Sequence, residues 1–143
     1  MKIKQLSIFL ENQEGNMYSV LDTLAKNDIN IKAVHIADIS EFGILRLIVT
    51  DTERAEKILN EANFIVKVRD VIAVELDDAP GGLASVLRTI YNAKINLEYI
   101  YAFTHEKVNK AIVILQTENL DNLISVLEDN NIHIIGSQDI YNL

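Results

Sequence analysis

The apolar positions of this chain change their period several times. In "IKQLSIFLEN" Leu6, Ile8 and Leu10 fall on every second residue, which predicts a strand with one apolar face. After Gly15 the spacing lengthens. Met17, Val20, Leu21 and Leu24 follow at i, i+3, i+4 and i+7, the stripe of an amphipathic helix. "INIKAVHIADI" is rich in β-branched residues and predicts a strand, "EFG" a turn, and "ILRLIVT" a nearly all-apolar strand. Asp51 or Thr52 can cap a second helix carrying Ala55, Ile58, Leu59 and Ala62. "FIVKVRD" then closes the series as a strand.

The series recurs. Sliding the sequence over itself by 66 residues lays "ENQEGNMYSVLDTLAKNDINIKAVHI" (11–36) on "DDAPGGLASVLRTIYNAKINLEYIYA" (77–102), with seven identities and no gap. The identical pairs are Gly15/Gly81, Ser19/Ser85, Val20/Val86, Leu21/Leu87, Thr23/Thr89, Ile29/Ile95 and Asn30/Asn96. Further along, "ILRLIVT" (44–50) resembles "AIVILQT" (111–117). The second half therefore predicts strand 71–76, helix 83–92, strands 95–103 and 110–117, helix 120–130 and strand 132–141. The chain divides near Lys67–Asp70, into domains 1–68 and 69–143, with no Pro- or Gly-rich linker. Each half reads βαββαβ, an α+β fold of ferredoxin-like type with an antiparallel four-stranded sheet. Two helices cover one face of such a sheet. A domain of about 70 residues buries only about 60% of its unfolded surface. The halves are therefore expected to pack on each other and the chain to form a homodimer.

Composition narrows the function. Of 143 residues 49% are hydrophobic, enough for a packed core. No apolar run approaches the length of a membrane span, and the N-terminus lacks the apolar block of a signal peptide. There is no cysteine, so disulfides, thiolate metal sites and cysteine nucleophiles are excluded, in keeping with a reducing cytoplasm. The net charge of −8 disfavours nucleic acid. His35, His105 and His133 lack metal-ligand spacing, and neither a Gly-x-Ser-x-Gly nor a phosphate-loop motif occurs, so no metal, cofactor or catalytic residue is expected. Tyr18 and Tyr91 stand beside the helix stripes and are expected to pack. Tyr99, Tyr101 and Phe103 share one strand face, an arrangement commoner in cores and interfaces than in ligand walls. "THEKVNK" (104–110) reads as a polar hairpin.

"DDAPGGLASVL" (77–87) holds the single proline and the Gly-Gly pair directly before a helix. Such glycines serve either as a turn or as an open helix N-terminus whose N–H groups a carboxylate can reach. Together with "INI" and "INL", the loops at Gly15 and Gly81 resemble two copies of the ACT domain signature, over essentially the whole chain. "ADISEFGILRLIV" and "EYIYAF" further resemble small stand-alone tandem-ACT proteins. The resemblance implies a regulatory module that binds a free amino acid. Its alternative is a docking and dimerisation subunit for an amino-acid biosynthetic enzyme, of acetolactate-synthase type, without a ligand of its own. The first copy departs at Glu14, where proline is usual, and at Asn16-Met17; the second carries Asp78 where the first has Asn12. In serine-binding ACT domains the asparagines at the places of Asn12 and of the Ile-Asn-Ile element contact ligand, which points to Asn12, Asn30 and Asn96. The expected site lies at a junction between halves or chains. Its expected walls are the loops Asn12, Gln13, Glu14, Gly15, Asn16, Met17 and Asp78, Ala79, Pro80, Gly81, Gly82, Leu83. Asn30 and Asn96 are to face it, with the turn 39–43, including Ser40, Glu41, Phe42 and Gly43, and the stretch from Tyr99 through Tyr101 to Phe103 as further wall residues.

Overall fold

The computed structural model describes residues 1–38, 40–105 and 109–143. Ile39 of the predicted turn and Glu106, Lys107 and Val108 of the predicted hairpin lie outside the described residues. The chain forms two compact units, Lys4–Arg69 with Tyr141–Leu143, and Asp70–Ile140 with Met1–Ile3.

The first unit contains β1 (Ile3–Glu11), α1 (Asn16–Lys26), β2 (Ile31–Asp38), β3 (Phe42–Val49), α2 (Thr52–Glu61) and the start of β4 (Ile65–Asp77). Its strands lie in the order β2-β3-β1-β4, with β3 antiparallel to both neighbours. The second unit takes the rest of β4, then α3 (Gly82–Asn92), β5 (Tyr99–His105), β6 (Lys110–Gln116), α4 (Leu120–Asp129), β7 (Ile134–Ile135) and α5 (Ser137–Tyr141). Its order is β5-β6-β4-β7, all antiparallel. Both units thus have the α+β ferredoxin-like arrangement. β4 runs unbroken through the expected boundary, ending one fold and starting the next.

The alternation in the sequence becomes the two faces of each sheet. Leu6, Ile8 and Leu10 of β1 join Leu45, Leu47 and Val49 of β3 beneath Val20 and Leu24 of α1 and Leu59 of α2. In the second unit Ile72, Val74, Val113 and Leu115 lie beneath Val86, Ile90, Leu123 and Leu127. Burying each such side chain contributes about 1.5–3 kcal/mol. The stripe residue Met17 departs from this pattern and is exposed, whereas its counterpart Leu83 packs on the core.

Register refines the repeat. Leu6 faces Leu47, and Ile72 faces Leu115, so β3 and β6 are 68 positions apart while β1 and β4 remain 66 apart. The second β-hairpin is therefore two residues longer. The overlay of 44–50 on 111–117 was odd in offset, and an odd offset would turn every core side chain to the other face. Backbone geometry repeats with the same two offsets. Positive φ recurs at Gly15/Gly81, Asp28/Lys94 and Asn63/Asn131.

Two expectations are corrected. The strand 132–141 is two residues long and gives way to α5: Gly136 interrupts it, and the Ile140 N–H donates to the Gly136 carbonyl at 3.2 Å. Tyr18 and Tyr91 do not pack; they are 71% and 78% exposed, because each stands on the outward side of its helix.

Candidate functional site

Each unit places a short loop between its first strand and first helix, and both loops end in glycine. Gly15 and Gly81 adopt φ of 83° and 85°, the left-handed region that side chains with a Cβ enter only with strain. The turn reading of these glycines therefore holds. The open-terminus reading also has support. A Cβ added at either glycine would meet nothing within 4 Å, and neither helix carries a side-chain cap. The second helices are built differently. The Asp51 carboxylate accepts from the Arg54 N–H at 3.1 Å, and the Asn119 side chain accepts from the Asn122 N–H at 3.1 Å. The amides of the first turn of α1, at Met17 and Tyr18, have no intrahelical acceptor, and the helix dipole adds a partial positive charge there.

A cavity of about 450 Å³ opens at this end of α1. All six residues of the expected loop, Asn12 to Met17, line it. Leu10, Glu11, Tyr18 and Ile36 also line it and were not foreseen, and Gly43 of the expected turn 39–43 completes its walls. Tyr18 belongs to the first turn of α1, and the others to the parts of β1, β2 and β3 that the sheet order brings beside the loop, so strand order was the missing signal for them. The hairpin between β2 and β3 ties the loop down: the Asn12 N–H donates to the Glu41 carbonyl at 2.9 Å, and Asn12 Nδ2 to the Ser40 carbonyl at 3.4 Å. Asn16 Nδ2 donates to the Glu11 carbonyl at 2.8 Å. Each amide thus gives a donor to a backbone carbonyl, and their Oδ1 atoms are acceptors suited to an ammonium. Ser40, Glu41 and Phe42 are exposed and do not line the cavity; Phe42 pairs with Glu11, on the opposite face from Leu10.

The matching cavity of the second unit measures about 250 Å³ and is walled by Leu76, Asp77, Asp78, Ala79, Leu83 and the strand residues Ala102, Phe103, Ala111 and Val113. Pro80, Gly81 and Gly82 stand in the loop without lining it. Lys110 Nζ meets Asp77 Oδ1 at 2.5 Å, and that hydrogen bond, with the carboxylate's charge, raises the lysine pKa above its ordinary value. A Cβ on Gly82 would lie 2.4 Å from the Asp77 carbonyl oxygen, so this loop closes tightly on itself.

The remaining expected residues are elsewhere. Asn30 sits past the far end of α1, where its carbonyl accepts from the Thr50 N–H at 3.0 Å. Asn96 occupies the same place beyond α3; its carbonyl accepts from Thr117 Oγ1 at 2.7 Å. It borders a separate cavity of about 230 Å³ with Lys94, Asn119 and Asn122. Tyr99 and Tyr101 stack with centroids 6.5 Å apart. They face Gln116 and Ile114, on the side of the sheet away from α3, and line neither cavity.

The sequence profile of a family described as "ACT domain pair" matches residues 1–143. Among solved structures, the Bacteroides thetaiotaomicron protein BT0572 is 39% identical, with a TM-score of 0.94 over 100% of this chain and 98% of that one. The ligand-free regulatory subunit of aspartate kinase from Thermus thermophilus is 17% identical, with a TM-score of 0.62 over 87% of this chain and 90% of that one. Its Thermus flavus counterpart is also 17% identical, with a TM-score of 0.63 over 88% and 90%. These last two likenesses are of fold. No curated protein sequence matches.

Proposed function

The chain belongs to the ACT domain pair family, a family of regulatory domains, and from that premise we infer that it is a non-catalytic sensor of a free amino acid. The observation that carries this reading is the contrast between helix starts. α2 and α4 are closed by Asp51 and Asn119, whereas α1 and α3 open on glycine, and the start of α1 borders the cavity of about 450 Å³. In the first unit the ligand carboxylate rests on the Met17 and Tyr18 N–H groups, and its ammonium meets the Oδ1 atoms of Asn12 and Asn16 and the carboxylates of Glu11 and Glu14. A unit's own Asn30 or Asn96 takes no part, since each lies past the other end of the helix.

A thermal-shift screen of the full chain against the twenty amino acids tests the reading. A ligand at 100 times its dissociation constant adds about 2.7 kcal/mol, which raises the melting temperature by several degrees. Selective stabilisation by one or a few amino acids is the expected result. A second reading, a docking subunit for an amino-acid biosynthetic enzyme, draws on the exposed Phe9, Phe42 and Ile65, with Lys67 Nζ 5.7 Å from the Phe9 ring centre. A flat screen favours that reading instead.

A further inference from the structure

We propose that the cavity at the start of α1 takes an amino acid with a large apolar side chain, and that its counterpart at α3 takes none. The proposal rests on the sensor reading above and adds to it a ligand class and a stoichiometry.

Three observations carry it. The first is size: about 450 Å³ at α1 against about 250 Å³ at α3. The second is what holds the two loops. Asn16 and Gly82 are matched positions, as are Glu11 and Asp77. At Gly82 the Asp77 carbonyl fills the space a Cβ would need, while in the first unit a whole asparagine side chain spans from Asn16 to the Glu11 carbonyl. The α1 loop therefore stands off by a side chain's width and the α3 loop does not. The third is wall chemistry. Met17, Tyr18 and Ile36 leave apolar surface open to water around the α1 cavity, Ile36 being 47% exposed. Their matched residues are Leu83, which packs on the core, Ala84 and Ala102. Covering such surface is favourable at about 25 cal/mol per Å². The α1 lining holds no lysine or arginine to pair with an acidic ligand side chain.

The test is calorimetry and thermal shift on the full chain with methionine, leucine and phenylalanine against serine, aspartate and lysine. The expected result is binding of the apolar set, at one ligand per chain. Ile36→Gln, at an exposed position that the fold tolerates, should weaken it about tenfold, equivalent to about 1.4 kcal/mol. Selection of serine, aspartate or lysine, or two equal sites per chain, overturns the proposal and leaves the sensor reading standing. So does apolar binding that Ile36→Gln does not weaken, since the side chain then lies elsewhere. No response to any amino acid overturns both.

Discussion

Gly15 and Gly81 share a backbone conformation, and the residues that follow them show what that conformation permits. Asn16 fits because its loop leaves room for it; Gly82 has no such room, with the Asp77 oxygen 2.4 Å from any Cβ. Gly82→Ala should therefore cost about 1–3 kcal/mol in urea unfolding, the range for forced overpacking. Asn16→Ala removes one exposed hydrogen bond and should cost about 0.5–1.5 kcal/mol at most. A larger loss at Asn16 than at Gly82 would contradict the difference between the two loops. Gly81→Val is a poor probe of ligand approach, because a β-branched residue at φ of 85° is strained before any ligand arrives. The sequence marks these glycines as a pair, but only coordinates distinguish a glycine needed for its angle from one needed for its size.

Among the elements, both first helices and both second helices were legible from their spacing, and Asp51 was legible as a cap. The C-terminal element was not. "NIHIIGSQDIYNL" carries enough isoleucine to read as a strand, yet Gly136 ends β7 after Ile135, and Ile140 is buried from a helix instead. The warning was Gly136 itself, since glycine inside an apparent strand weakens it. The caps separate structural helix starts from candidate binding starts. Asp51→Ala and Asn119→Ala should each cost about 1 kcal/mol by loss of the bond to the third residue on. Chemical denaturation checks both, and neither substitution should change amino-acid binding, since neither residue lines the α1 cavity. Loss of binding in Asp51→Ala with the fold intact by circular dichroism would move the site away from α1.

At the scale of the molecule, topology decides what the motif alone did not. In a βαβ unit the strand delivers the chain to the helix start, and the helix carries it back, so "INI" begins its strand at the opposite end from Gly15. Eleven helical residues span about 16 Å, too far for Asn30 and Gly15 to hold the same small ligand within one unit. Within one unit the signature residues are therefore not neighbours, although the motif sets them fifteen positions apart in the sequence. The same topology leaves β2 at the edge of the first unit's strand order, with Val34 55% exposed beside Ile36. An open edge with apolar side chains is a surface that soluble folds normally cover, and a two-fold pairing of β2 with β2 of a second chain is self-complementary. A homodimer is the expected state in solution, about twice the 16.1 kDa chain mass by sedimentation equilibrium at tens of micromolar, a concentration at which mass action favours any stable dimer. Val34→Glu puts a charge on that edge without disturbing a buried position, and should shift the population toward monomer. A wild-type monomer at that concentration would remove the edge pairing. A dimer that Val34→Glu leaves intact would place the contact on another face, with the exposed Phe9, Phe42 and Ile65 the next surface to test.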